Sequence, residues 1–159
     1  MVSSERQPNL IDASGDLLES GADLLVNPVN LVGVSGKGLA LAFRQRFPRN
    51  YELYRAACSI PLIAPGVVLV TPLRRESPPY YVANFPTKRH WRDPSLLEDV
   101  RMGLAHLASV VTVLNVRSVA VPALGCGLGG LSWDQVKPMI VEALGDLPID
   151  LLVYGPGSA

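Results

Sequence analysis

A chain of 159 residues, 48% hydrophobic and 18% charged, is long enough for one domain with a buried core and too apolar for disorder. Its formal net charge of zero provides no overall field for nucleic acid, so any such binding must be local. No apolar run reaches the roughly 20 residues of a membrane span. The start "MVSSERQPNL" lacks a secretory apolar core, and two cysteines, Cys58 and Cys126, are too few for a disulfide framework. A reducing cytoplasm is the expected compartment.

In chain order, the candidate strands are "NLIDAS", "ADLLVNP", "GVVLVTP", "YYVANFP", "VRSVAVPAL" and "IDLLVYGP". Several are continuous apolar runs, which suits a sheet covered on both faces. Helical stretches lie between them. "GLALAFRQRF" and "RNYELYRAACS" are divided by Pro48, which ends the first or starts the second. Leu97, Val100, Leu104, Leu107 and Val111 repeat at helical spacing after Pro94, which is expected at the helix start. "SWDQVKPMIVEAL" opens with Ser132 and Gln135 as a capping-box pattern, and Pro138 is expected to kink it. The alternation predicts one α/β domain over residues 1–159, with helices on both sides of a mostly parallel or mixed sheet.

Two glycine-rich loops follow strands and precede helices. In "VNPVNLVGVSGKGLALAF", Gly33, Gly36 and Gly38 let backbone approach a ligand, and the helix start offers free N–H groups. Lys37 suggests a Walker A loop, but the glycine spacing is wrong and Gly38 stands where a magnesium-binding Ser or Thr is needed. In "GCGLGGL", Gly125, Gly127 and Gly130 satisfy G-x-G-x-x-G, yet Asp150 precedes its strand instead of ending the next one, so the dinucleotide motif fails on context. A pair of such loops on neighbouring strands favours a diphosphate cradle over two tight turns.

The third feature is "NFPTKRHWR", which is expected to turn at Pro86 and then crowds Lys88, Arg89, His90, Trp91 and Arg92. Lys88 then stands at the carboxyl edge of the sheet, where open α/β folds place ligands. Neighbouring cations and burial beside Trp91 would disfavour the charged form of Lys88. Trp91 suits either base stacking or a core anchor, and Arg89 and Arg92 suit either DNA phosphates or plain surface. No Cys/His spacing resembles a metal site, and Cys126 has no histidine near in sequence to activate it.

Together these segments resemble the macrodomain family, modules that bind ADP-ribose and in some members hydrolyse its linkages. "GDLLES" is similar to the family's Gly-Asp segment, with Asp16 at the adenine-binding acid. "VNPVN" resembles its paired asparagines, with Asn27 and Asn30 facing the distal ribose. "GVSGKGLA" and "GCGLGG" resemble its phosphate and ribose loops, which implies contacts from Gly36, Lys37, Gly38, Gly125, Cys126, Gly127, Leu128 and Gly129. "LLVYGP" is similar to the last strand, with Tyr154 beside adenine. The family fold implied is a three-layer α/β/α sandwich with a mixed sheet of about six strands.

"NFPTKRHWR" and "GCGLGGLSWDQVKPMI" are closest to the subfamily of the terminal ADP-ribose protein glycohydrolase and the bacterial DarG antitoxins. That resemblance implies a catalytic Lys88, with His90 and Trp91 at the substrate. Lys88 would act either as a neutral nucleophile on the anomeric carbon or as a charged stabiliser of the departing base. It also implies removal of ADP-ribose from thymidine in single-stranded DNA, with no cofactor and no metal. A DarT-like toxin would be the partner of the full-length protein, whose toxin-engaging C-terminal region this chain is expected to lack, and the module is expected to be a monomer. Gly129 stands where the protein-directed enzyme has an aspartate, which favours the DNA reading. The alternatives are hydrolysis of ADP-ribose from protein Glu or Asp, and a reader that binds without cutting.

Overall fold

The structure is a computed structural model and describes residues 6–157. The first residues of "MVSSERQPNL", read above for a signal, lie outside that range. Six strands form one sheet in the order β1-β6-β5-β2-β4-β3: β1 (Asn9–Ala13), β2 (Leu24–Asn30), β3 (Leu69–Pro72), β4 (Tyr81–Lys88), β5 (Ser118–Val121) and β6 (Asp150–Tyr154). All neighbours are parallel except β3, which runs antiparallel to β4 at the edge. The sheet is therefore mixed, as expected.

Its two faces can be read residue by residue. Leu24 and Val26 of β2, Ala83 and Phe85 of β4, and Val119 and Val121 of β5 join one apolar cluster with the buried stripes of α3 (Leu97–Leu114) and α4 (Trp133–Leu144). Residues next to these in the chain, Leu25, Val82 and Ala120, join the opposite cluster with Phe43 of α1 (Gly38–Arg46). The period of two puts successive side chains on opposite faces, and helices cover both, so the strands have no polar face to alternate. Tyr54 and Ala57 of α2 (Pro48–Ser59) complete the second helical layer around Val29 and Ile63. The result is the three-layer α/β/α sandwich.

Pro48 is the first residue of α2, where its missing N–H has no intrahelical partner to lose. In α3, Val100, Leu104, Leu107 and Val111 are buried as their spacing predicts. Gly103 lies among them in a helix interior, a position that costs about 1 kcal/mol against alanine. Its reason is steric: a Cβ there would overlap the Phe85 ring, so the glycine lets α3 settle onto β4.

Several local expectations are corrected. The chain does not turn at Pro86. β4 runs through it to Lys88, and β2 and β4 shift register between Val29 and Asn30. Pro86 lies beyond the part of β4 paired with β3, so its missing N–H breaks no ladder on that side. Helix α3 begins at Leu97, not at Pro94. Ser132 is the N-cap of α4, but its hydroxyl makes no capping bond; its carbonyl accepts from Gln135 and Val136 instead.

Candidate active site

Five parallel strands end at the same edge, and the residues matched above to the ADP-ribose site follow or close those strands. Asp16 follows β1, Asn27 and Asn30 close β2, Lys88 ends β4, the second glycine loop follows β5, and Tyr154 ends β6. β2 and β5 are neighbours, so the two glycine loops sit side by side.

The first loop is built by Asn30. Its Oδ1 accepts from the amides of Val32 and Val34 at 3.1 and 3.3 Å, and its Nδ2 donates to the Val34 carbonyl at 2.8 Å. The buried Tyr54 hydroxyl also reaches Asn30, at 2.7 Å from its carbonyl oxygen and 2.9 Å from Oδ1. The Asn30 carboxamide is thus spent on shaping residues 31–34. Tyr51 adds a bond to the Gly33 carbonyl at 3.1 Å. α1 then starts at Gly38, whose positive φ of 58° suits glycine, with Lys37 as an N-cap that makes no side-chain bond. Among the described residues no protein acceptor meets the amides of Gly36, Lys37 or Gly38, and Gly36 and Lys37 are exposed. This is an anion site in the making.

Asn27 belongs to a buried network that sequence reading missed. Its Nδ2 donates to Asn84 Oδ1 at 3.1 Å, and the two residues are in register on β2 and β4. Asn84 exchanges bonds with Asn50 of α2, and the Thr71 hydroxyl donates to Asn50 at 2.6 Å. Within this network Asn27 Oδ1 is left buried with no hydrogen-bond partner among the described residues. A buried acceptor without a donor costs free energy unless a ligand supplies one.

The second loop is held from below. Leu131 N–H bonds to Gly125 carbonyl at 2.9 Å and Gly130 N–H to Gly127 carbonyl at 3.2 Å, closing the turn. Among the described residues the amides of Gly127, Leu128 and Gly129 meet no protein acceptor, and Leu128 is exposed. Gly129 is itself buried. A Cβ there would overlap Ser95 Oγ and lie 2.5 Å from the Gly125 carbonyl oxygen, while Ser95 N–H donates to the Gly129 carbonyl at 2.9 Å. The loop therefore rests on Ser95, from the segment after "KRHWR", and no side chain at 129 fits. Cys126 is half-buried, its thiol pushed up by burial and directed to the Leu124 carbonyl, which keeps it protonated at neutral pH.

At the end of β4, Lys88 Nζ donates to the Trp91 carbonyl at 3.3 Å, and Lys88 is half-buried. Arg89 is not available to a ligand as its sequence position suggested. It clasps the buried Asp99 of α3 through Nε and an η-nitrogen, both at 3.1 Å, and that carboxylate pushes the guanidinium pKa up. His90 does not orient Lys88; its Nδ1 accepts from the Arg92 amide at 3.1 Å. Trp91 is 47% exposed, which excludes the core-anchor reading, and the Arg92 guanidinium lies 4.5 Å from its ring centre. His106, the other histidine, holds the Val68 amide through Nδ1 at 2.8 Å.

Asp16 caps a 3₁₀ turn (Leu17–Glu19), accepting from Leu18 N–H at 2.9 Å, and remains exposed. Tyr154 is buried against Leu17, Leu18 and Phe43. Burial first, then the bond with Ser20 and the charge of Asp16, set its hydroxyl, with a net upward shift. Asn84, Asn50, Ser95 and Asp99 were not foreseen. Only Asn84 had a signal, as the first residue of the conspicuous "NFPTKRHWR".

The Macro domain family model matches residues 26–140. The DNA ADP-ribosyl glycohydrolase of Mycobacterium tuberculosis is 44% identical over 146 residues, covering 91% of this chain and 42% of that protein. Among solved structures, the macrodomain of Mycobacterium tuberculosis DarG superposes with a TM-score of 0.91 at 42% identity, covering 94% of this chain and 99% of that one. Thermosipho africanus DarTG in complex with ADP-ribose gives 0.87 at 34%, covering 95% and 42%. The chain spans about two fifths of the length of such curated relatives, 40–42%. No helix among the described residues is long and apolar enough to cross a membrane.

Proposed function

The chain belongs to the Macro domain family, and from that premise we propose that it is the catalytic module of a hydrolase that removes ADP-ribose from thymidine in single-stranded DNA. Relatives named DNA ADP-ribosyl glycohydrolase, at 44–47% identity, support the substrate. The observation that carries the reading is Lys88, the last residue of β4, whose Nζ makes one hydrogen bond among the described residues, to a carbonyl at the edge where two amide-rich loops lie side by side.

In this reading the diphosphate lies between the free amides of Gly36–Gly38 and those of Gly127–Gly129, with Lys37, Gly125 and Cys126 flanking it. The unpartnered Asn27 Oδ1 accepts from a hydroxyl of the distal ribose. Asn30 contributes through the loop it shapes. Asp16 has one oxygen committed to Leu18 and offers the other to the adenine amino group, above Tyr154. Leu128, 76% exposed, covers the sugar from the loop tip. Trp91 stacks the modified base, a contact of about 1–3 kcal/mol, and His90 borders it.

Lys88 acts as an ammonium. The bond between the anomeric carbon and the thymine nitrogen breaks, Lys88 gives its proton to the departing base, and water adds to the anomeric carbon. The proton released by that water restores the ammonium, so one water is consumed and the lysine is unchanged. With Arg89 held by Asp99, Lys88 and Arg92 are the cations of the "KRHWR" cluster left to face substrate. The full-length protein, in a cytoplasm, would act as antitoxin to a DarT-like transferase, with this module as a monomer.

The test measures ADP-ribose release from a thymidine-modified single-stranded oligonucleotide and from a glutamate-modified protein. Wild type should act on the DNA. Lys88→Ala should lose about 10²–10⁴-fold in turnover, the usual range for a positioned acid, with ADP-ribose affinity by calorimetry held within a few-fold. Release from protein alone would move the substrate to esters; release from neither, with binding intact, would make the module a reader.

A further inference from the structure

The opposite edge of the sheet, where β2, β4 and β5 begin, carries an open cleft of about 390 Å³. Its walls include Arg74, Arg75 and Arg117, the half-buried Tyr80 and Tyr81, and Asp23. None of the three arginines has an ion-pair partner among the described residues. The acids nearby are Asp23, whose Oδ2 accepts from the Arg117 amide at 2.8 Å, Glu76, which is exposed, and Asp150, whose amide donates to the Arg117 carbonyl and whose carboxylate pairs with Arg6. Positive charge remains in excess, in a chain that is neutral overall.

The cleft is fixed by the sheet rather than formed by loose side chains. Tyr80 and Tyr81 amides both donate to the Asp23 carbonyl, at 2.8 and 3.1 Å, and Leu73 N–H donates to the Tyr80 carbonyl at 2.8 Å. Arg74 has a positive φ of 51°, an uncommon backbone state for a side chain of its size that directs the two arginines from one tight bend. Guanidinium groups beside aromatic rings, in an open groove, match a chain-like polyanion: guanidinium for phosphate, ring face for base. A closed small-molecule pocket would instead enclose its ligand.

We propose that this cleft is a second contact for single-stranded nucleic acid, holding the phosphodiester backbone away from the nucleotide presented to Lys88. It rests on the DNA reading above. Tyr81 and Lys88 are the first and last residues of β4, so the two contacts are about 23 Å apart at roughly 3.3 Å per residue, a gap bridged by several nucleotides.

The test is fluorescence anisotropy with unmodified single-stranded oligonucleotides, one short enough to cover only the Lys88 edge and one long enough to span the sheet, at low and physiological salt. Arg74→Ala/Arg75→Ala should weaken the long oligonucleotide about tenfold and flatten its log–log salt slope by about 0.7 per lost phosphate contact. Affinity for the short one and for ADP-ribose should not change, which also reports that the variant is folded. Unchanged affinity for the long oligonucleotide overturns the proposal. So does poly-glutamate that binds the cleft as tightly as DNA and is lost in the same variant, which would assign the cleft to an acidic protein. Because unmodified DNA is used, a wild type that binds by length yet releases no ADP-ribose sinks the glycohydrolase reading alone. One that turns over modified DNA with no length dependence sinks the cleft alone.

Discussion

The two glycine loops give the same signal in sequence and are held by opposite means. The loop after β2 is held by polar bonds: Asn30 meets two amides, one carbonyl and the Tyr54 hydroxyl, and Tyr51 ties Gly33. The loop after β5 draws no side-chain bond: its own backbone closes the turn, Gly129 is seated in close contact on Ser95, and the buried Ser95 hydroxyl has no hydrogen-bond partner among the described residues. Glycine in the first loop is therefore largely a matter of access for a ligand, while in the second it is a matter of fit within the protein. A polar clamp fails when its donor or acceptor is deleted; a steric seat fails when an atom is added.

The largest effect expected follows from deletion. Asn30→Ala removes the acceptor of two loop amides and the donor to the Val34 carbonyl at once, leaves the Tyr54 hydroxyl only its bond to the backbone carbonyl, and should cost about 3 kcal/mol in urea unfolding, at roughly 0.5–1.5 kcal/mol per hydrogen bond. Gly129→Ala comes next, at about 1–3 kcal/mol for an overpacked site, with ADP-ribose affinity falling because the loop amides move. Ser95→Ala should be close to neutral alone, and in the double variant it should relieve only part of the Gly129→Ala cost, because the Gly125 carbonyl oxygen still stands 2.5 Å from the new Cβ. Full relief would mean that Ser95 alone seats the loop.

A smaller effect comes from pH. Burial pushes the thiols of Cys58, near the first loop, and Cys126, in the second, above the ordinary value of about 8.5. An acid with a raised folded pKa holds its proton longer folded than unfolded, so its contribution is complete below about pH 8.5 and is lost as pH rises through the folded value. Urea midpoints should fall from neutral to alkaline pH. Cys58→Ala should flatten that fall more than Cys126→Ala, because Tyr54, also pushed up by burial first and by Cys58 second, shares its site. The smallest effect belongs to Gly36→Ala. A Cβ there meets nothing within 4 Å, so stability should move by less than about 0.5 kcal/mol, and any loss should appear in ADP-ribose affinity.

How much of this was legible beforehand depended on range. Period and punctuation revealed the strands, the stripe Val100–Val111 and the start of α2, because each is decided by residues a few positions apart. The site edge was legible too, since Lys88 and both glycine loops end strands. The Asn27–Asn84 pair was not, because it needs the register of two strands 57 positions apart in sequence. Ser95 was invisible because a packing contact between two loops leaves no pattern in either. Arg89 was misread for a related reason: a cation in a loop looks free until Asp99, ten residues on and inside the next helix, is seen beneath it.

That clasp bears on how tightly the site can bind. The Arg89–Asp99 pair joins the two ends of the segment that carries His90, Trp91 and Ser95, so "HWRDPSLLE" is a closed ring rather than an open connection. Closing a ring restricts the chain before any ligand arrives, and the ordering that a free loop would undergo on binding is already settled when the protein folds. On the proposed reading, the segment that faces the modified strand meets it with its freedom largely spent, so contacts there convert more fully into affinity than the same residues on an unclasped loop.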